Sequence, residues 1–145
     1  MKFSISNIAL PEYNHLDELN SLPELGLQGL EVALSRQWHD WWHGLTNKSV
    51  NAYRSEIEAA GLSVVGLHSL FWGMPGLGLF KNKEHRAKTL DYMEHLSRVC
   101  RDLGGYTLIY GGGRNRESLS TEYAKQEAVL FLHELCTRIE HHETC

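Results

Sequence analysis

Short apolar runs alternate with longer amphipathic stretches along this chain. The first run, residues 3–8, is rich in β-compatible side chains and is followed by a loop containing Pro11. Leu16, Leu19 and Leu22 then recur at helical spacing. Pro23 fits only at the start of a new turn, and Gly26 closes the segment. A second run, Gly29 to Leu34, leads into a loop crowded with tryptophan and histidine. The helix expected next begins near Ser49, with Val50, Tyr53, Ile57 and Ala60 on one face and Gly61 at its end.

A third run, Leu62 to His68, precedes a glycine-rich loop from Gly73 to Gly78. A long helix is then expected from about Lys83 to Leu103, with Leu90, Met93, Leu96, Cys100 and Leu103 as its apolar face. Gly104 and Gly105 stop it. The fourth run, Tyr106 to Tyr110, ends in Gly111-Gly112-Gly113-Arg114. Ser120 or Thr121 can cap a last helix with Ala124, Ala128, Leu132, Leu135 and Ile139 along one side. His141 and His142 fall in what reads as a frayed tail.

Four consecutive βα units imply an α/β fold with parallel strands joined by right-handed crossovers. Two architectures satisfy that order. One is an open, doubly wound sheet. The other is a (β/α)8 TIM barrel, which takes roughly 250 residues, so that four units make half of one. Sequential strand order favours the barrel, and a reversal favours the doubly wound sheet.

Composition narrows the partners. The chain has 145 residues with 42% hydrophobic and 22% charged side chains, ordinary usage for one globular domain spanning 1–145. No apolar stretch approaches the roughly 20 residues of a membrane span. The net charge of −4 and pI near 6.1 come without a basic stripe, so neither nucleic acid nor an anionic membrane is an expected partner. Cys100, Cys136 and Cys145 are odd in number and form no CxxC. With no leader recognisable in the first ten residues, a reduced, cytoplasmic chain is expected. Cys100 and Cys136 read as small core residues on apolar helix faces.

Three segments carry a resemblance. LPELGLQGLEVALS (22–35) is similar to a helix-1 to strand-2 passage, YRSEIEAAGLSVVGLHSLF (53–71) to a helix-2 to strand-3 passage, and RVCRDLGGYTLIYGGGR (98–114) to a helix-3 to strand-4 passage. Together they resemble the sugar phosphate isomerase/epimerase family, within the xylose isomerase-like barrels that also include type 2 AP endonucleases. The resemblance implies a metal-assisted isomerisation or epimerisation of a sugar or polyol. It implies a divalent ion, Mn, Mg, Co or Zn, held by residues of strands five to eight. It therefore implies that this chain is the N-terminal half, ending before strand five, with no metal ligand or catalytic residue of its own and no activity alone.

Five residues are candidates for substrate binding. Glu31 interrupts an apolar strand, where a carboxylate is costly unless paired. It contacts a substrate hydroxyl or pairs with a neighbouring cation. His68 stands at the C-terminal end of the third strand, the face on which β/α barrels build their sites. Trp38 and His39, in the loop that also holds Asp40, Trp41, Trp42 and His43, offer an aromatic wall for a sugar ring or pack the barrel lip. Arg114, with the glycines before it, cradles an anion such as a sugar phosphate, or simply follows a glycine turn. The Gly73–Phe80 loop reads as a flexible lid. His85, His95 and His133 read as surface or edge positions. A half barrel also leaves two open strand edges and an apolar sheet face, which a second copy of the chain could cover.

Overall fold

The structure is a computed structural model describing residues 2–111 and 119–145. The elements run β1 (Ser4–Ser6), α1 (Leu16–Ser21), β2 (Gly29–Val32), α2 (Asn47–Ala59), β3 (Ser63–Leu67), α3 (Lys83–Asp102), β4 (Thr107–Leu108) and α4 (Thr121–Ile139). All four strands are parallel and adjacent in the order β1-β2-β3-β4. That sequential order has no switch point, so the chain curls in the barrel manner rather than the doubly wound one.

Helix starts follow local hydrogen bonding. Thr46 and Ser49 form a capping box, which moves the start of α2 to Asn47, ahead of the expected Ser49. The side chain of Asn82 accepts from the His85 amide to open α3, and that of Ser120 accepts from the Tyr123 amide to open α4. The helix layer packs on the outer face of the sheet through Leu30, Val32, Val64, Leu67, Ile57, Leu90, Met93, Leu96 and Leu103.

Three expectations change. On α4 the buried positions are Ala124, Phe131, Leu135 and Ile139, while Leu132 is exposed. Eight residues advance a helix about 80° past two full turns, whereas seven fall about 20° short, so Phe131 stays on the inward stripe that Leu132 leaves. Cys136, about 120° round the helix from Ala124, is exposed and not a core residue; Cys100 is fully buried. The tail does not fray. His142 is 3% exposed, its Nδ1 bonds Ser97 Oγ at 2.8 Å, and Ser97 Oγ also bonds Thr144 Oγ1. Glu143 takes a left-handed φ of +59°. Cys145 then donates to the Tyr106 carbonyl and accepts from the Leu108 amide, a parallel ladder pattern about Thr107.

The concave face differs from the apolar surface expected of it. Register places Ser4, Gly29 and Ser63 in one row and Ser6 and Glu31 in the next, with Thr107 beside Gly66. Small hydroxyl side chains thus dominate this face, because Ile5, Leu30, Val32, Val64, Leu67 and Leu108 turn toward the helices and leave Val65, over Gly29, as the aliphatic exception.

One irregularity fixes the upper end of the sheet. Leu30 pairs with Val64, but Glu31 pairs with Gly66, so Val65 is an extra residue in β3. A strand side chain points to alternate faces. Strict alternation from Val64, with no bulge, would put His68 on the face of Val64 and into the helix layer. The bulge reverses the phase: Leu67 becomes fully buried in the core, and His68 turns to the concave face. Gly66 is required there because a Cβ would lie 2.2 Å from the Thr107 carbonyl oxygen. Gly66→Ala is expected to lower stability by about 1–3 kcal/mol, the range for forced overpacking. Urea unfolding followed by circular dichroism measures it, and an unchanged midpoint would refute the close approach.

Candidate functional site

The ends of β1, β2 and β3 bring three side chains together. His68 Nε2 bonds Ser6 Oγ at 2.6 Å, and His68 Nδ1 bonds Ser69 Oγ at 3.1 Å. Ser6 Oγ also accepts from the Ile8 amide at 3.1 Å. Glu31, paired with Ser6 in the ladder, reaches back to Ser4 Oγ at 3.5 Å. Burial pushes the His68 imidazole below its ordinary pKa, and the nearby Glu31 charge opposes that shift. His68 is therefore a neutral imidazole between two hydroxyls, able to pass a proton in either direction.

Buried Asn7 holds this end of the sheet shut. Its side-chain oxygen accepts from the Ala33 amide at 2.8 Å and its nitrogen donates to the Ala33 carbonyl at 3.2 Å. The amide thus continues the β1–β2 ladder one step beyond the strands.

Ile8 and Ser69, the neighbours of this hydrogen-bonded chain, line a cleft of about 420 Å³. That size suits a small-molecule site. Its walls include Tyr13, Trp41 and Trp72, with Arg36 and Glu12 at one end. Arg36 pairs with Glu12 and donates to the Leu10 carbonyl at 2.7 Å. Tyr13, whose amide donates to the Arg36 carbonyl at 2.8 Å, and Ser69 both hold left-handed φ values, +62° and +54°. Non-glycine residues in that region store strain, and such strain concentrates at ligand sites.

The expected residues divide. His68 and Glu31 meet on the concave face. His39 stacks on Tyr13 with ring centroids 4.0 Å apart, so it supports the cleft wall rather than lining it. Trp38 packs edge-on against buried Tyr53 at 5.4 Å, away from the cleft, and Trp41 takes the wall position. Asp40 folds back on its own loop, accepting the amides of His43 and Trp42, and these N–H groups hold its carboxyl below the usual range. Arg114 and the two glycines before it lie outside the described residues. The Gly73–Phe80 loop is tied down: Gly78 donates to Thr89 Oγ1 at 3.0 Å and Leu79 to the Tyr110 hydroxyl at 3.1 Å. His95 is not a free surface histidine, since it bonds the Trp41 carbonyl at 2.8 Å.

Ser6, Tyr13 and Trp72 carry no signal at short range in the sequence. Ser6 could have been found only by aligning strand one with strand two, which places it opposite Glu31.

No family model and no curated protein matches the sequence. Solved structures do match. Over 99% of this chain and 50% of the other, it superposes at a TM-score of 0.69 and 12% identity on D-psicose 3-epimerase with D-tagatose from Clostridium cellulolyticum H10. A sugar phosphate isomerase/epimerase from Parabacteroides distasonis ATCC 8503 matches at 0.69 and 15% identity, over 99% of this chain and 49% of its own. A xylose isomerase domain protein from Planctomyces limnophilus matches at 0.62 and 20% identity, over 98% and 50%. The chain has the fold of half a xylose isomerase-like barrel. It spans about half the length of the structures it matches, and at these identities the likeness is one of fold.

Among the described residues no three His, Cys, Asp or Glu side chains gather to hold an ion. Glu31 and His68 are two donors where protein sites supply three or four. The described residues do not fit a metal by themselves.

His68 should titrate below the ordinary histidine value near 6.5. Glu31→Gln should lower it further, because it removes the charge that favours the imidazolium. Since the folded pKa is depressed, the contribution of His68 to stability is complete above about 6.5 and is lost as pH falls through the folded value. Histidine-selective NMR titration reads both shifts; a value at or above 6.5 contradicts the burial of the ring.

Proposed function

We propose that the cleft at the ends of β1, β2 and β3 binds a sugar or sugar-like polyol, free or phosphorylated. In this reading the half barrel supplies one wall of a sugar isomerase or epimerase site. The observation that carries it is the chain Ser6–His68–Ser69 beside Glu31, which reaches an aromatic-walled cleft through Ser69. A sugar presents hydroxyl edges and apolar C–H faces. Glu31 accepts from hydroxyls, and His68 with its two serines can either donate or accept. Trp41, Trp72 and Tyr13 offer flat surfaces to the C–H faces. Support also comes from the matched structures, which are a D-psicose 3-epimerase and a sugar phosphate isomerase/epimerase.

The chemistry assigned to these residues is binding and proton handling. A hydroxyl in the cleft meets Ser69 Oγ, and a proton taken up there moves on through the His68 ring to Ser6, or back along the same path. Glu31 fixes the adjacent hydroxyl. The 145-residue chain is proposed to bind without turnover. The phosphate cradle expected around Arg114 lies outside the described residues and stays a proposal.

Titration with D-tagatose and D-fructose by NMR of the 145-residue chain tests the reading. Saturable shifts are expected at Ser69 and at the indoles of Trp41 and Trp72. His68→Ala should weaken the affinity about tenfold, the cost of roughly one net hydrogen bond. Ketose conversion in the presence of Mn²⁺ or Mg²⁺ should stay at the metal-only control. Absence of any saturable shift rejects the sugar site, and turnover well above the control rejects the assignment of binding alone.

A second reading is favoured by the sheet edge: among the described residues β1 has β2 as its one strand neighbour. In that reading a second copy of the chain lies along the open edge of β1, since Cys145 already pairs with β4. Sedimentation equilibrium is expected to give twice the 16.6 kDa mass of one chain, and a stable compact monomer dismisses it.

A further inference from the structure

We propose that Tyr92 is a positioning residue: its hydroxyl splints the β2–α2 loop to the β3–α3 loop and so fixes Trp41 in the wall of the cleft. Its effect on ligand binding rests on the sugar-site reading; the splint itself does not.

Tyr92 lies on α3 and is fully buried. Trp41 Nε1–H donates to its hydroxyl at 2.8 Å, and the hydroxyl donates to the Leu70 carbonyl at 2.7 Å. One oxygen thus joins two loops that share no strand. Both bonds sit next to cleft residues: Trp41 lines the cleft, and Leu70 follows Ser69, which lines it and bonds His68. The Tyr92 ring packs between the loops as well, 4.9 Å from Trp42 and 6.1 Å from Phe71.

Other contacts leave the indole one freedom. His95 donates from Nε2 to the Trp41 carbonyl, which fixes the backbone. The far edge of the Trp41 ring lies over Gly73, where an added Cβ would sit 3.6 Å from Cη2. Neither contact sets the rotation of the indole about its side-chain torsions. Its one N–H donor does, and that donor ends on Tyr92. A buried donor without a partner is costly, so loss of the hydroxyl favours turning the indole toward water. Burial pushes the phenol up to about 12, so it stays protonated and can serve both loops throughout the ordinary pH range. The other buried tyrosine on a neighbouring helix, Tyr53, bonds His15 and packs against Trp38, neither of which lines the cleft, which makes it a structural control.

The test uses the 145-residue chain labelled with 5-fluorotryptophan, which gives four resonances for its four tryptophans. Trp41→Phe assigns the one of interest. In the unmutated chain the Trp41 indole N–H should exchange with solvent at least tenfold more slowly than that of Trp72, which is 73% exposed. Tyr92→Phe keeps the ring and removes the hydroxyl. It should shift the Trp41 resonance, abolish most of its exchange protection and weaken D-tagatose binding about fivefold. Tyr53→Phe should lower the melting temperature without moving the Trp41 resonance. Equal exchange at Trp41 and Trp72 in the unmutated chain overturns the splint even where Tyr92→Phe does not fold. So does a Tyr92→Phe chain with an unmoved Trp41 resonance, or one that binds the sugar as tightly as the parent. A parent chain that binds no sugar while Tyr92→Phe still frees Trp41 rejects the sugar site and leaves the splint standing.

Discussion

The extra residue in β3 sets the terms for everything above it. A strand has a two-residue side-chain period, so one inserted residue exchanges the faces of all that follow. Below the bulge Val64 feeds the core; above it Leu67 does. That swap turns His68 onto the face where Ser6 and Glu31 stand. It is possible because Gly66 lets the β4 backbone approach closer than any side chain would permit. Packing of the core and assembly of the site are consequences of one local count of residues.

Helix α3 organises the layer outside that sheet. Its inward stripe, with Leu90, Met93 and Leu96, belongs to the core, while Tyr92 and His95 reach the loops above the strand ends. The Ser97 hydroxyl gathers the segment after α4 through His142 and Thr144. One helix therefore touches both rims of the sheet. The loops over β2 and β3 derive their order from side chains of this helix as much as from their own turns.

Much of this was legible in the sequence, and the reason for each success is local. The four strands, their parallel direction and the limits of α3 follow from apolar periodicity and from Gly104. His68 at a strand end was legible for the same reason. What escaped depends on pairs distant in sequence. The bulge exists only in the register of β2 against β3. Phe131 is a local exception: it takes the inward position in place of Leu132 because seven residues from Ala124 fit the helical repeat better than eight. His142 looked like a frayed tail because its partner, Ser97, is 45 residues away. Trp38 and Trp41 lie in one loop and share a residue type, and only α2 and α3 decide which packs on Tyr53 and which faces the cleft.

The hydroxyl-bearing concave face has a consequence for solvation. The interior of a β/α barrel is ordinarily filled by branched aliphatic side chains stacked in layers. Ser4, Ser6, Ser63 and Thr107 leave Val65 as the branched aliphatic side chain that the described strands place on this wall. A surface of this kind is wettable: water can rest on it and exchange bonds with the hydroxyls at small cost. The sheet can accordingly be folded and hydrated on the same side, and whatever comes to face it must offer hydrogen bonds rather than oil.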